Sequence, residues 1–234
     1  MENKKFAILN GEFKELYGDA FFAEYEIIYT EPVKKLSSPL AYHPDIQIAK
    51  ISSDTYICEP TLFDYYSEKL KKLNVNLISG NTSLESNYPK DIAYNVARVE
   101  KKLFCFEKYT DKRILENFNG DIVDINQGYS RCNMCIVNDE AVITSDDGIY
   151  LACAENNIDV LKIEKGHIKL FPYEYGFIGG ASYNAKKKIV SFFGNLKNHP
   201  SYKDIISFCQ KHSCTAEFNE SYNLCDLGSA IFSS

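Results

Sequence analysis

The distribution of apolar and polar residues predicts a unit of two strands, a helix and a third strand. IQIAKI and TYIC are apolar strings separated by the polar turn SSD, a pattern typical of paired strands. In the following TLFDYYSEKLKKL, apolar residues recur three and four positions apart, as on one face of a helix, with Thr61 as its N-cap. VNLIS then predicts a third strand, which completes a unit between Ile46 and Ser79.

The same order of elements recurs along the chain. From Asp91, DIAYNVARV and KLFCF predict strands, TDKRILENF a helix and DIVDIN a strand. NMCIVN, AVITS, DGIYLACAENN and DVLKIE repeat the order, and GFIGGASYN, KIVSFFG, PSYKDIISFCQKH and TAEF repeat it again. A fifth unit is expected from the C-terminal LGSAIF together with the N-terminal FAILNG and FAEYEIIYT. Units of about forty to fifty residues are typical of repeat folds, in which each unit buries its apolar face against a neighbour.

The repeats predict an α/β fold. An open mixed sheet with helices on one face is one arrangement of such units. Joining the first and last units into a ring removes exposed strand edges, so we favour a closed five-unit α/β propeller of ββαβ units. Because the chain has no Pro/Gly/Ser-rich linker, residues 1–234 are expected to form a single domain.

Composition narrows the partners and the compartment. The net charge is -6 and no basic run is present, which argues against nucleic acid as a partner. No apolar stretch resembles a membrane span or a signal peptide core, so we expect no membrane association and a cytoplasmic protein. The eight cysteines are then expected to be thiols, with Cys58 and Cys105 in the core.

Three strings stand at equivalent places, at the entry to the first strand of consecutive units: AYHPDIQIAKI, PKDIAYNVARV and GYSRCNMCIVN. Equivalent positions in a cyclic array point toward a common centre, so His43 and Cys132 are expected to meet there. In an extended strand, residues two apart share a face, and His43 and Asp45 should therefore project together. Arg131 precedes Cys132, and a nearby positive charge favours an accessible thiol ionised near neutral pH.

These strings carry a family resemblance. GYSRCNMCIVN resembles the nucleophile segment of arginine deiminases, DIAYNVARVEKKLFCF the unit preceding the nucleophile in dimethylarginine dimethylaminohydrolases, and YHPDIQIAKI their His-x-Asp strand. The resemblance covers residues 42–138 and is to the pentein, or guanidino-group-modifying enzyme, superfamily. It implies that Cys132 attacks a guanidinium carbon, that His43 is the general acid and base, and that Asp45 holds the guanidinium nitrogens. Asn95 would support the site.

The order of the segments differs from that of the family. The family nucleophile lies close to the C-terminus, whereas here the chain continues from Cys132 to residue 234, which implies a circularly permuted version. The family's Gly-Gly-Asp substrate strand is expected, after permutation, at NLCDLGSAIF, which offers Asp226 as a substrate-binding carboxylate. The glutamate that partners the family's histidine has no counterpart in the sequence.

Other interpretations stand beside the catalytic one. Cys132 is equally a structural core cysteine. Cys132 and Cys135 form a C-x-x-C, but neither a second such pair nor paired histidines complete a zinc site, so we predict no metal and no cofactor. His167 is an additional candidate for the same centre or a residue in a turn, and Asp146 is an additional candidate or a helix N-cap.

The glycine pair in GFIGGA indicates close backbone approach near the centre. The sequence as a whole favours a cysteine-dependent hydrolase that acts on a small guanidino or amidine compound. The alternative is a non-catalytic pentein-fold binding module, as in a translation factor that binds the large ribosomal subunit, or a small-molecule sensor.

Overall fold

The computed structural model describes residues 5–16 and 22–233, and in them fifteen strands form five three-stranded sheets. The strands are β1 (Phe6–Leu9), β2 (Glu26–Tyr29), β3 (Ile48–Lys50), β4 (Thr55–Cys58), β5 (Asn76–Ser79), β6 (Ala97–Val99), β7 (Lys102–Cys105), β8 (Asp121–Asp124), β9 (Cys135–Asn138), β10 (Ala141–Thr144), β11 (Asp159–Lys162), β12 (Ser182–Tyr183), β13 (Ile189–Phe192), β14 (Thr215–Phe218) and β15 (Ile231–Phe232). The α-helices are α1 (Ser38–Ala41), α2 (Pro44–Gln47), α3 (Phe63–Leu70), α4 (Lys112–Asn117), α5 (Ser130–Asn133), α6 (Asp147–Glu155) and α7 (Tyr202–Lys211). Short 3-10 helices cover Gly11–Leu16, Pro60–Leu62, Glu107–Tyr109 and Leu196–Asn198.

All five sheets have the same topology. In each, the middle strand is antiparallel to one neighbour and parallel to the other, and the sheets are β15-β1-β2, β3-β4-β5, β6-β7-β8, β9-β10-β11 and β12-β13-β14. The parallel neighbour needs a crossover connection, which a helical segment supplies in each unit. The repeated unit read from the sequence is therefore confirmed.

The middle strands form the buried part of each sheet. All four residues of β1 (FAIL) and β10 (AVIT) are buried, and three of four are buried in β4, β7 and β13. A strand covered on both faces is expected to be apolar throughout rather than alternating. Cys58 and Cys105 end β4 and β7 at 0% exposure, which confirms them as core residues.

The fifth sheet joins the two ends of the chain. β15 pairs antiparallel with β1, with Ala7 opposite Phe232, and β1 pairs in parallel with β2. The Phe232 ring lies 5.1 Å from the Tyr25 ring and 5.6 Å from the Tyr183 ring, centroid to centroid. The expected pairing of the terminal segments is confirmed, except that residues 17–21 of the connection lie outside the described ranges.

The sequence suggested that the chain is extended where it enters the first strand of each unit, but the structure shows otherwise. His43 precedes α2, residues 91–95 are irregular, and Cys132 lies in α5. Pro44 is the first residue of α2, where its fixed φ suits a helix and its missing N–H costs no hydrogen bond. In GFIGGASYN, only Ser182–Tyr183 is a strand, because the preceding residues form a turn.

None of the helices in residues 5–16 and 22–233 combines the length and apolar character needed to cross a lipid bilayer.

Replacing Phe232 by alanine tests the contribution of the terminal sheet. The Phe232 side chain is 6% exposed, and its removal leaves a cavity among aromatic rings. We expect the free energy of unfolding to fall by ~3–5 kcal/mol in urea titrations followed by circular dichroism. Phe171→Ala, at a position that is 91% exposed, is the matched control, and an equal loss in both variants would contradict the packing role.

Candidate functional site

Five polar side chains converge from four units of the fold. His43 and Asp45 lie at α2 ahead of β3, Asn95 ahead of β6, Cys132 in α5 ahead of β9, and Asp226 ahead of β15. All five are at most 3% exposed. The repeat-equivalent placement predicted from the sequence therefore brings these residues together.

His43 lies between two carboxylates. Its Nδ1 is 4.0 Å from Asp45 Oδ1 and 3.9 Å from Asp226 Oδ1. Within the described residues, His43 Nδ1 and Asp45 Oδ1 have no hydrogen-bond partner, although both atoms are buried. Burying polar atoms without partners is costly, so the site is built to receive hydrogen bonds from something else. His43 and Asp45 do project together, but from a helical turn and not from the strand that the sequence suggested.

Asn95 ties three segments together. Its Nδ2 donates to the Asp45 carbonyl at 2.9 Å and to Cys132 Sγ at 3.1 Å. Its Oδ1 accepts from the backbone N–H groups of Arg131 at 2.8 Å and Cys132 at 3.3 Å. Both ends of the amide are used, so Asn95 fixes the position of the sulfur relative to α2.

The Cys132 thiol is buried and protonated. Its Sγ donates to Asp45 Oδ2 at 3.1 Å, and its exposed fraction is 2%. Burial, followed by the negative charges of Asp45 and Asp226, raises the pKa of the Cys132 thiol well above its ordinary value. The expectation of an accessible, ionised thiol is therefore wrong for the site as it stands.

The sequence led us to expect that Arg131 favours ionisation of the Cys132 thiol, but its guanidinium binds elsewhere. Its Nη1 donates to the carbonyl oxygens of Met134 at 2.9 Å and Gly179 at 3.2 Å, and its Nη2 donates to Ser229 Oγ at 2.6 Å. The guanidinium thus joins α5 to the segments preceding β12 and β15. It is a structural group, and the basic side chain that faces the two carboxylates is His43.

Glycines make room for Asp226. A Cβ on Gly180 would lie 2.0 Å from Asp226 Oδ1, and one on Gly176 would lie 2.4 Å from Asp226 Cβ. The carboxylate accepts from the N–H groups of Phe177 at 2.9 Å and Gly228 at 3.0 Å. Burial raises the pKa of Asp226. The predicted pair is Gly179 and Gly180, and a Cβ on Gly179 would lie 2.2 Å from the Arg131 carbonyl oxygen, so the close backbone approach predicted for the pair is confirmed.

A cavity of about 290 Å³ lies beside these residues. Its polar lining includes the buried His43, Cys132 and Asp226. The remaining lining residues are Leu40, Tyr129, Leu170, Tyr173, Glu174, Tyr175 and Phe177. Asp45 and Asn95 do not line the cavity, but both contact the Cys132 sulfur.

Sequence reasoning missed the aromatic lining. The Tyr129 and Phe177 rings are stacked with centroids 6.0 Å apart, and Tyr175 meets Phe177 edge-on at 6.2 Å. Tyr129 donates from its hydroxyl to Asp91 Oδ2 at 2.5 Å, which fixes the ring. The dense aromatic string LFPYEYGF was the available signal, but its distance in sequence from Cys132 concealed the contact.

The two additional candidates lie outside the cavity lining. His167 is 43% exposed at its side chain, and its Nε2 lies 3.1 Å from Glu164 Oε1. Asp146 caps α6 by accepting from the Ile149 N–H at 2.9 Å, and it also accepts from Gln127 Nε2 at 2.8 Å. The N-cap interpretation of Asp146 is confirmed, and the structure assigns neither residue to the site.

The same groups resemble a metal-binding set. One ligand atom each from His43, Asp45 and Cys132 lies within 4.8 Å of the others. Zinc takes nitrogen, oxygen and sulfur ligands at about 2.0–2.3 Å, so modest side-chain shifts would let these atoms share one ion. Cys135 packs in a different core cluster from Cys132, and the C-x-x-C does not form one site. The prediction that no metal binds stays a prediction.

Gly228→Ala tests how the backbone positions the histidine. Gly228 has φ +73°, and a Cβ there would lie 2.4 Å from His43 Cβ, so the imidazole must move. Gly166→Ala is the matched control, because Gly166 has φ +95° and nothing within 4 Å of an added Cβ. Both variants carry the backbone strain, ~1 kcal/mol.

We expect only Gly228→Ala to displace His43, which should show as a further loss of thermal stability and as shifted imidazole resonances in NMR spectra at one fixed pH. Equal effects of the two alanines on both measurements would show that His43 does not depend on the close contact.

Comparison with solved structures gives remote similarities. An amidinotransferase of the saxitoxin biosynthetic pathway from Microseira wollei superposes with a TM-score of 0.47 and 8% identity, covering 77% of this chain and 64% of that one. The agmatine deiminase of C. jejuni superposes with a TM-score of 0.45 and 10% identity, covering 71% of this chain and 62% of that one. The inosamine-phosphate amidinotransferase of Streptomyces griseus superposes with a TM-score of 0.44 and 10% identity, covering 83% of this chain and 68% of that one. This chain thus spans less than two thirds of the first two.

No curated protein matches the sequence significantly. A family model matches residues 18–231, which is most of the chain, so this chain belongs to DUF6873, a family of unknown function.

Proposed function

We propose that this protein cleaves a carbon–nitrogen bond of a small guanidino or amidine compound through a covalent bond to Cys132. One observation carries the proposal: a thiol, an imidazole and the buried Asp226 carboxylate line a cavity whose described lining holds no Lys or Arg, and the buried Asp45 carboxylate contacts the same thiol. In this proposal Cys132 is the nucleophile and His43 the proton carrier. Asp45 and Asp226 bind the substrate cation, and Asn95 positions the sulfur.

Charge is the first argument. Asp45 and Asp226 are buried, the Arg131 guanidinium binds elsewhere, and one imidazole, that of His43, lies 4.0 Å and 3.9 Å from the two carboxylates, so two acidic groups share one base. A bound guanidinium supplies positive charge and N–H donors in a fixed fork, a geometry that matches carboxylates. It would also give the unpartnered Asp45 Oδ1 a donor. The cavity is thus complementary to a planar cation.

The binding event also explains how a buried thiol becomes reactive. Negative charge from Asp45 and Asp226 contributes to the raised pKa of Cys132. A guanidinium between these groups offsets that charge, so it lowers the pKa of the thiol while it occupies the site. The nucleophile is therefore formed when a cation is present, and the thiol is left inert when the site is empty.

The chemistry then follows from positions around the sulfur. His43 accepts the thiol proton, the sulfur forms a bond to the guanidinium carbon, and the carbon–nitrogen bond breaks as His43 returns the proton to the leaving amine. Water then attacks the carbon, His43 takes its proton, and the carbon–sulfur bond breaks to regenerate the thiol. A ligand atom of His43 lies within 4.8 Å of Cys132 Sγ, close enough for a proton to pass after a small movement. Water needs no second recognition site, which favours hydrolysis over transfer to another amine.

A ring of units would explain the convergence. We include in the proposal that the five sheets close around a pseudo-fivefold axis. The shared sheet of β15, β1 and β2 and the equivalent placement of site residues ahead of β3, β6, β9 and β15 support this closure.

A ligand sensor without catalysis is the second candidate. The observation that favours it is the state of Cys132, which is 2% exposed with a raised pKa. A sensor would use the same anionic cavity and leave the thiol protonated with ligand bound. The two candidates differ in what a cation does to the sulfur.

A matched pair of alkylating reagents separates the two candidates. Chloroacetamidine is a cation that resembles the guanidinium, and chloroacetamide is its neutral counterpart. We expect the amidine to alkylate Cys132 faster on the order of tenfold, equivalent to ~1.4 kcal/mol, because the carboxylates attract the cation and its charge favours the thiolate. Mass spectrometry of digested protein measures the rate at each cysteine.

Cys225, the one cysteine that is partly exposed, supplies the internal control, because burial raises the pKa of its thiol while the charges of Lys169 and Asp226 act on it in opposite directions. Its ratio of the two alkylation rates should therefore be lower than that of Cys132. Equal ratios at Cys132 and Cys225 would reject the catalytic proposal and favour the sensor. Cys132→Ala should abolish turnover of any confirmed substrate.

The pH dependence of alkylation tests the electrostatic argument. Alkylation of Cys132 by neutral chloroacetamide should rise with pH around a pKa above the ordinary thiol value, because burial and the carboxylates disfavour the anion. Asp45→Asn removes one negative charge, so the pKa of Cys132 should fall and the profile should shift to lower pH. Asp64→Asn, at an exposed position in α3, should leave the profile unchanged. An unchanged profile in Asp45→Asn would show that this carboxylate does not control the thiol.

A further inference from the structure

The cavity extends beyond the reacting groups, and the residues that line this part determine which substituents of a guanidine can bind there. The apolar or aromatic residues of the lining are Leu40, Tyr129, Leu170, Tyr173, Tyr175 and Phe177. The stacked pair Tyr129 and Phe177, with Tyr175 edge-on to Phe177, forms a continuous surface that we call the aromatic wall. Such a surface binds alkyl chains and flat apolar groups, and it attracts cations through the ring faces.

The charged groups of the lining have one sign. Asp226 is buried and Glu174 is exposed, and the described lining contains no Lys or Arg. The basic groups close by do not fill this gap. Arg131 donates to Met134, Gly179 and Ser229. Lys165 does not line the cavity; its ammonium lies 5.2 Å from the Tyr175 ring centroid and already interacts with Tyr175 and Glu174.

We propose that the substrate is a monosubstituted guanidine whose tail bears no acidic group. This inference rests on the proposed function and deepens it. A tail carboxylate would lose its hydration against the aromatic wall, meet no Lys or Arg in the described lining and lie near Asp226 and Glu174, which repel it. An alkyl tail, or a tail ending in an amine beside Glu174, meets neither obstacle. Amino-acid guanidines are therefore excluded as good ligands, and their decarboxylated counterparts are accepted.

The absence of an acidic group from the substrate tail limits the reactions that can supply the substrate. Agmatine and arginine share the guanidine and the four-carbon chain, and they differ in the carboxylate. A decarboxylation, or the amidination of a simple amine, is thus the class of reaction that supplies such a substrate. Hydrolysis at the guanidine would release an amine or a urea that also lacks an acid group.

Binding to Cys132→Ser tests the inference without turnover. Isothermal titration calorimetry would compare butylguanidine, agmatine and arginine. We expect butylguanidine and agmatine to bind more tightly than arginine by about tenfold or more, because the carboxylate pays desolvation and repulsion. Arginine binding as tightly as agmatine would overturn the inference on the tail and leave the proposed function standing. Failure of all three guanidines to bind would overturn both.

A charge reversal at the exposed Glu174 gives an independent test. Glu174→Arg in the Cys132→Ser background should strengthen arginine binding and weaken agmatine binding, because it supplies the missing cation and removes a carboxylate. Glu155→Arg, at an exposed position at the end of α6 and outside the cavity lining, is the matched control and should change neither affinity. Unchanged relative affinities in Glu174→Arg would show that the tail does not reach this residue, which contradicts the proposal.

Discussion

The burial of Asp45 and Asp226 beside one thiol and one imidazole is the constraint on which the site depends. Two carboxylates in a poorly solvated region repel each other and any thiolate between them, so without a cation the least costly state keeps the sulfur protonated. The hydrogen bond from Cys132 to Asp45 is the form this state takes. The fold maintains an arrangement that is electrostatically unfavourable when empty, and such arrangements are most common at functional sites.

Backbone geometry, more than side-chain packing, holds this arrangement in place. Gly176 and Gly180 let the chain approach Asp226 within distances that any Cβ would prevent, and Gly228 does the same for His43. Arg131 then joins the two glycine-bearing segments to α5 through two hydrogen bonds, to the Gly179 carbonyl and to Ser229 Oγ. The cationic group that sequence reasoning assigned to thiol activation is used to assemble the walls of the site. The site consequently gains order without gaining a positive charge.

The sequence predicts the units well because each one depends on local patterns. The apolar strings FAIL, TYIC, KLFC, AVIT and IVSF are middle strands, which are continuous in apolar character because both faces are covered. The short helical turns at Pro44–Gln47 and Ser130–Asn133 leave no such pattern in the sequence, since four residues are too few to show a period. His43 and Asp45 lie close together as expected, although the strand assumed for them is a helical turn. The expectation held because positions i and i+2 also lie close across a turn that begins at a proline.

What local patterns cannot supply is the environment of the sulfur. The pairing of Cys132 with His43 followed from their equivalent places in the repeat, but the orientation of Arg131 and the wall formed by Tyr129, Tyr175 and Phe177 depend on contacts across the whole chain. The adjacent Arg-Cys pair suggests an ionised thiol, whereas burial with two carboxylates reverses the sign of the effect. Under the proposed function, a nucleophile controlled by its ligand, and not by a resident cation, would discriminate between compounds at two steps. A neutral compound of the right shape would fail to bind the carboxylates, and it would also fail to create the thiolate that attacks the substrate.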